Sequence, residues 1–178
     1  MSRIIREARL TDMDEIMLVM DAAKKIMRQS GNMHQWGEGY PSETVIAADI
    51  ERNGGYVVEE DDGEHQSSDG EHQSSDGEHQ SSGKIVGYFA FLSSPEPTYA
   101  RIYEGKWLDD KLPYHVVHRI GSYPDVHGIF SSIMDFCSSK DPNIRIPVRI
   151  ERIFSKSSFS EKSLIFVFIE KKCYGSRA

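Results

Sequence analysis

Short apolar strands alternating with amphipathic helices predict an α/β fold, a mixed central β-sheet flanked by helices. Three stretches carry that expectation. IIREARL is followed by a helical apolar face; GYVVEED and GKIVGYFAFL read as consecutive strands; HVVHRIGSYPDVHGIFSSIMDFC reads as strand, turn and helix. With 178 residues, 38% of them hydrophobic, the chain is long enough for a single domain over 1–178 with a real core.

The elements follow in order. Residues 4–10 read as a strand, with Thr11 or Asp12 as N-cap and Asp14 and Glu15 in the first helical turn. Ile16, Val19, Met20, Ala23, Ile26 and Met27 then form an apolar face that ends at Gly31. GNMHQWGEGYPSE is a loop rich in glycine and aromatics, and a second helix starts near Ser42 and runs through Ile46 and Ile50 to Gly54. Strands are expected at 55–60, 84–92 and 114–122, then a helix bearing Ile129, Ile133, Met134 and Phe136, then a strand at 143–150. The predicted order is β-α-α-β-β-β-α-β.

Charge is distributed unevenly around a formal net of −7. That balance argues against binding nucleic acid or an anionic membrane through overall charge. Two cysteines are too few for a disulfide framework, and no apolar run has membrane-spanning length, so a cytoplasmic protein is expected. Between Glu59 and Ser82 there are nine acids and no base, because residues 62–82 are three tandem copies of DGEHQSS. No copy has an apolar residue to form a coiled-coil seam, so the segment reads as a flexible insertion at a hairpin tip. His65, His72 and His79 offer metal-ligand chemistry beside carboxylates. Ordering such a loop costs about 1–2 kcal/mol per residue, however, and no metal is expected.

The strand–turn–helix stretch has the most chemical content. A strand feeding a helix through a glycine-containing turn leaves unpaired amides at its mouth, a site suited to phosphate or pyrophosphate. Gly121 inside the strand points to a bulge or a close backbone approach.

From residue 3 to about 150 the chain resembles the GCN5-related N-acetyltransferases (GNAT). The matching stretches are IREARLTDMDEIMLVM, the GYVVEED/GKIVGYFAFL hairpin and VVHRIGSYPDVHGIFSSIMDFC. Gln35-Trp36 and Tyr40-Pro41 resemble a loop of bacterial small-molecule members. The signature Gln/Arg-x-x-Gly-x-Gly/Ala falls on Asp125, Val126, His127, Gly128, Ile129 and Phe130. Asp125 stands where Gln or Arg is usual, and Phe130 where a small residue is.

The resemblance implies the acyl-CoA N-acyltransferase fold, acetyl-CoA as co-substrate, and a small-molecule or peptide amine as acceptor. Amides of Val126, His127, Gly128, Ile129, Phe130 and Ser131 would cradle the pyrophosphate, with pantetheine held around Ile120 and Ser122 where the fourth and fifth strands splay. His118 is a candidate base, although a structural histidine or one on the far sheet face is the commoner role for such a residue; Glu104 is a second candidate. Trp36 and Tyr40 are candidate acceptor-binding residues that read equally as core. Many relatives dimerise, which makes a homodimer a candidate assembly.

The likeness stops near Pro147. Segment 147–178 is atypical and basic: after Asn143 eight bases face three acids, and Pro147 interrupts a strand expected to be central. LIFVFI (164–169) remains strand-like, and Tyr174 is the tyrosine left to serve as acid. The coincident change in charge, pattern and likeness points to a shifted reading frame. Two further functions therefore stand beside N-acetyltransferase: a decayed, inactive CoA-binding relative, and an interaction module that displays the acidic repeat.

Overall fold

The computed structural model describes residues 3–32, 36, 37, 39–60, 83–97 and 111–146, and the backbone of 167 and 168. The DGEHQSS insertion, Glu104 and Tyr174 lie outside the described residues. Six strands form one sheet in chain order: β1 (Arg3–Glu7), β2 (Gly55–Glu60), β3 (Lys84–Ser93), β4 (His115–Ser122), β5 (Ile144–Ile146) and β6 (Val167–Phe168). All neighbours are antiparallel except β4 and β5, which run parallel. The helices are α1 (Met13–Gln29), α2 (Glu43–Glu51) and α3 (Ile129–Lys140). None among the described residues is long and apolar enough to cross a membrane.

The sheet separates two cores. On one face Ile16, Val19 and Met20 of α1 and Ile46 of α2 bury against Val57, Ile85 and Tyr88. On the other, Ile129, Ile133, Met134 and Cys137 of α3 bury against Val58, Val86, Phe89, Phe91 and Val117. Both faces of β3 are covered, which is why its residues 85–92 are all buried and show no polar alternation.

Several expected boundaries shift for identifiable reasons. β1 ends at Glu7, and Leu10–Asp12 form a 3-10 turn instead of continuing the strand. Asp12 precedes α1 but its carboxylate makes no cap bond to the helix. It is held instead by Arg6 (Nη1–Oδ2 2.7 Å) and by the amide of Arg9 (2.7 Å). Burial opposes its charge, yet these bonds hold its carboxyl below the usual carboxylate range. Ser42 does cap α2, its hydroxyl accepting from the Val45 amide at 3.4 Å, and α2 ends at Glu51, before Gly54. At the far end of α1's apolar face, Ile26 is 37% exposed.

Candidate active site

Strand β4 organises the site. Val117 and Ile120 face the α3 core, while a Cβ on Gly121 would meet Met20 and Ala23 of α1. Two residues between them break the alternation. His118 pairs with Ala90 and Gly121 with Tyr88, so Arg119 and Ile120 together face the single residue Phe89. This is a β-bulge, and Arg119 takes a φ of +53°, in the left-handed region that non-glycine residues seldom occupy.

The bulge turns Arg119 toward α2, where its guanidinium closes on Asp49. Nε lies 2.7 Å from Oδ2 and Nη2 lies 2.5 Å from Oδ1. Tyr88 donates its hydroxyl to Asp49 Oδ2 at 3.2 Å, and Arg119 Nη1 donates to the Tyr40 hydroxyl at 3.0 Å. Asp49 is only 2% exposed, so the bidentate partner supplies the compensation that a buried carboxylate needs. Burial works against the Arg119 charge, but the Asp49 bonds outweigh it and Arg119 holds its proton more tightly than usual. Burial, reinforced by nearby Asp49, pushes the Tyr88 phenol up.

His118 sits beside this cluster, its Nε2 3.9 Å from Glu96 Oε1. Burial first, and then the neighbouring Arg119 charge, lower the imidazole to about 4, so it is neutral at physiological pH. Among the described residues the parallel ladder with β5 joins His115 to Ile144 and Val116 to Arg145. Beyond them, among the described residues, β4 is paired on its β3 side alone.

At the end of β4 the chain turns through 123–128 into α3. Gly128 leads the helix with φ +75° and no side-chain cap, leaving the first-turn amides to other acceptors. A Cβ at Gly128 would find only Arg3 Nη1, at 3.6 Å, so a guanidinium lies beside this turn. Arg3 is itself paired with Glu60. The Val126 amide is already given to the Tyr123 carbonyl at 3.3 Å, which removes it from the expected cradle. Asp125 is exposed and Phe130 is 45% exposed.

Ile120, Ser122 and residues 126–131 thus lie along one continuous strand, turn and helix start, with His118 three residues before Gly121 on the same strand. Tyr40 joins them through Arg119. Trp36 instead packs half-buried against the core between α1, α2 and the sheet. Sequence reasoning missed Asp49, Tyr88, Arg119, Glu96 and Arg3. Asp49 had a readable signal: an acid three residues after Ile46, on a helix stripe that is otherwise apolar, requires a buried partner.

No sequence-family model matches the chain, and no curated protein matches it. Solved structures do. A GNAT-family acetyltransferase from Streptococcus agalactiae superposes with a TM-score of 0.66 and 26% identity, over 85% of this chain and 78% of that one. One from Listeria monocytogenes gives a TM-score of 0.59 at 16% identity, over 90% of each chain. The chain has the GNAT fold. In GNAT terms the strand expected to splay is β4, and the expected signature turn is the Gly128-led entry to α3. No group of three or more His, Cys, Asp or Glu among the described residues is arranged to hold a metal ion.

Proposed function

We propose that the protein transfers an acetyl group from acetyl-CoA to an amine. The observation that carries this reading is the combination on β4 of a bulge at Arg119 and a Gly128-led helix N-terminus where the strand finishes. The likeness to the Streptococcus agalactiae acetyltransferase supports it.

The residues fit the co-substrate. The turn at Gly128 is open, without a side chain that would fill a phosphate cradle, and the amides of Ile129, Phe130 and Ser131 begin a helix whose dipole favours an anion. Arg3 Nη1 lies beside this turn, although its guanidinium is already paired with Glu60. Backbone groups around Ile120 and Ser122, on the side of β4 turned away from β3, hold the extended pantetheine arm. The bulge releases an amide from the ladder to polarise the acyl carbonyl.

Acetyl-CoA supplies the thioester-activated acetyl group. A neutral amine attacks, and its proton must leave. His118 is the proposed first acceptor, with Glu96 as the next station 3.9 Å away, a gap that one water or a small side-chain rotation spans. An imidazole held near 4 stores a proton poorly, which suits a relay more than a reservoir. Glu104 is a second candidate base, and Tyr174 a candidate acid for returning a proton to the thiolate.

Thermal unfolding with acetyl-CoA, with ATP as the control, tests binding. At a hundredfold excess over Kd the native state gains about 2.7 kcal/mol. The expected result is a rise in Tm selective for acetyl-CoA, together with amine-dependent release of free thiol. A cooperative transition unmoved by acetyl-CoA overturns the reading. Selective stabilisation without thiol release for any amine leaves the inactive CoA-binding relative.

A further inference from the structure

At the end of β4 opposite the α3 turn, a cavity of about 270 Å³ opens between the C-termini of α2 and α3 and the ends of β3 and β4. It is smaller than the roughly 300–1,000 Å³ typical of drug-sized ligand sites, so it suits a compound of amino-acid size. Its lining brings together one acid, Glu96, and two cations, Arg52 and Lys140, over the aromatic rings of Tyr56 and Phe91. The other nearby acid, Asp141, is engaged by His115, Nδ1 to Oδ2 2.5 Å, and that imidazole stacks on Phe91 with ring centroids 4.5 Å apart.

Glu96 is the link to the chemistry. It belongs to the cavity lining and lies 3.9 Å from His118, which adjoins the bulge. An ammonium group attracted to Glu96 is thereby brought to the residue proposed to take its proton. Among the described residues neither Arg52 nor Lys140 forms an ion pair; Lys140 lies over the Phe136 ring at 5.4 Å. Two cations and one acid on one small lining complement a ligand that carries both an ammonium and an anion.

We propose that this cavity binds the acceptor, and that the acceptor is a primary amine bearing an anionic group, the ammonium directed to Glu96 and the anion to Arg52 and Lys140. The inference rests on the acetyltransferase reading for its chemistry but not for its binding test. Arg52 and Lys140 also sit at helix C-termini, where positive charge offsets the macrodipole. A role confined to that leaves acceptor preference unchanged.

The experiment uses the full chain and four probes: γ-aminobutyrate, its amide, O-phosphoethanolamine and n-butylamine. Calorimetric titration without acetyl-CoA reads the cavity directly. γ-Aminobutyrate or O-phosphoethanolamine is expected to bind at least tenfold more tightly than the amide and butylamine, and comparing the two anions separates carboxylate from phosphate ligands. Arg52→Gln and Lys140→Gln, both exposed positions, should each reduce that preference at least fivefold, with Tm reporting that the fold is kept. Thiol release with acetyl-CoA should show the same preference in kcat/KM, with the loss in the variants falling on KM. Equal binding of the probes with and without an anionic group, or a preference unaffected by both substitutions, overturns the proposal. Failure of acetyl-CoA to bind overturns the acetyltransferase reading instead, and leaves the probe titration to decide the cavity.

Discussion

The Arg119 guanidinium grips the Asp49 carboxylate at two points, 2.7 and 2.5 Å, fastening the bulge of β4 to the last turn of α2. One further hydrogen bond, from Arg119 to Tyr40, carries the same connection to the loop before α2. Removing one partner of such a buried pair leaves the other charged and unpaired, at a cost of about 3–5 kcal/mol. Asp49→Ala should therefore destabilise strongly in urea unfolding. In a double-mutant cycle, Asp49→Ala with Arg119→Met should cost clearly less than the two single changes together. Additive costs would mean that the pair is not coupled.

His118 should make stability depend on pH in a specific window. Its folded value of about 4 lies below the ordinary 6.5, so between those values the unfolded chain binds a proton that the folded chain refuses. The contribution is full above pH 6.5 and falls as the pH drops from 6.5 to 4. It amounts to about 3 kcal/mol in all. His118→Gln should flatten the Tm profile between pH 7 and 5; an unchanged slope would place that titration elsewhere.

Gly87 lies under the N-terminus of α3. A Cβ there would sit 2.3 Å from Ile129 Cδ1 and 3.2 Å from the Gly121 carbonyl. Gly87→Ala should cost about 1–3 kcal/mol by overpacking. Adding Ile129→Val removes the closest atom and should recover part of the loss, measured by chemical denaturation. No recovery would locate the strain at the Gly121 carbonyl.

Gly128 tests the turn in a different way. A Cβ there meets nothing closer than 3.6 Å, but φ is +75°. Gly128→Ala should cost about 1–2 kcal/mol through backbone strain alone. It should weaken acetyl-CoA binding by more than that loss of stability explains, read as the Tm shift produced by the co-substrate. A variant that binds as well as the parent would remove the turn from the cradle.

The repeat insertion leaves from and returns to a fixed point. Glu60 and Lys84 are ladder partners, so removing residues 62–82 joins β2 to β3 through Asp61 and Gly83 alone. Asp-Gly is a favoured two-residue hairpin turn, and the shorter closure should add about 1–2 kcal/mol. A higher Tm for the deletion variant is expected. A lower one would mean that the insertion supports the fold.

The element order and the apolar stripes were legible along the chain. Those are local properties: the period-3.6 stripe of Ile16, Val19, Met20 and Ala23, the apolar run of β3 and the glycine-led turn into α3 depend on near neighbours in the chain. The tertiary structure alone decided the site's polar organisation. Asp49 and Arg119 are 70 residues apart, and only the bulge, which makes Arg119 and Ile120 share Phe89, turns that guanidinium onto α2. His118 was legible as a candidate base, but its neutrality comes from burial and the adjacent guanidinium, which packing supplies. Likewise the cavity exists because α2 and α3 end at the same edge of the sheet, bringing Arg52 and Lys140 onto one lining. Hydrophobic periodicity is written residue by residue; the partner of a buried charge is chosen only when the chain has folded.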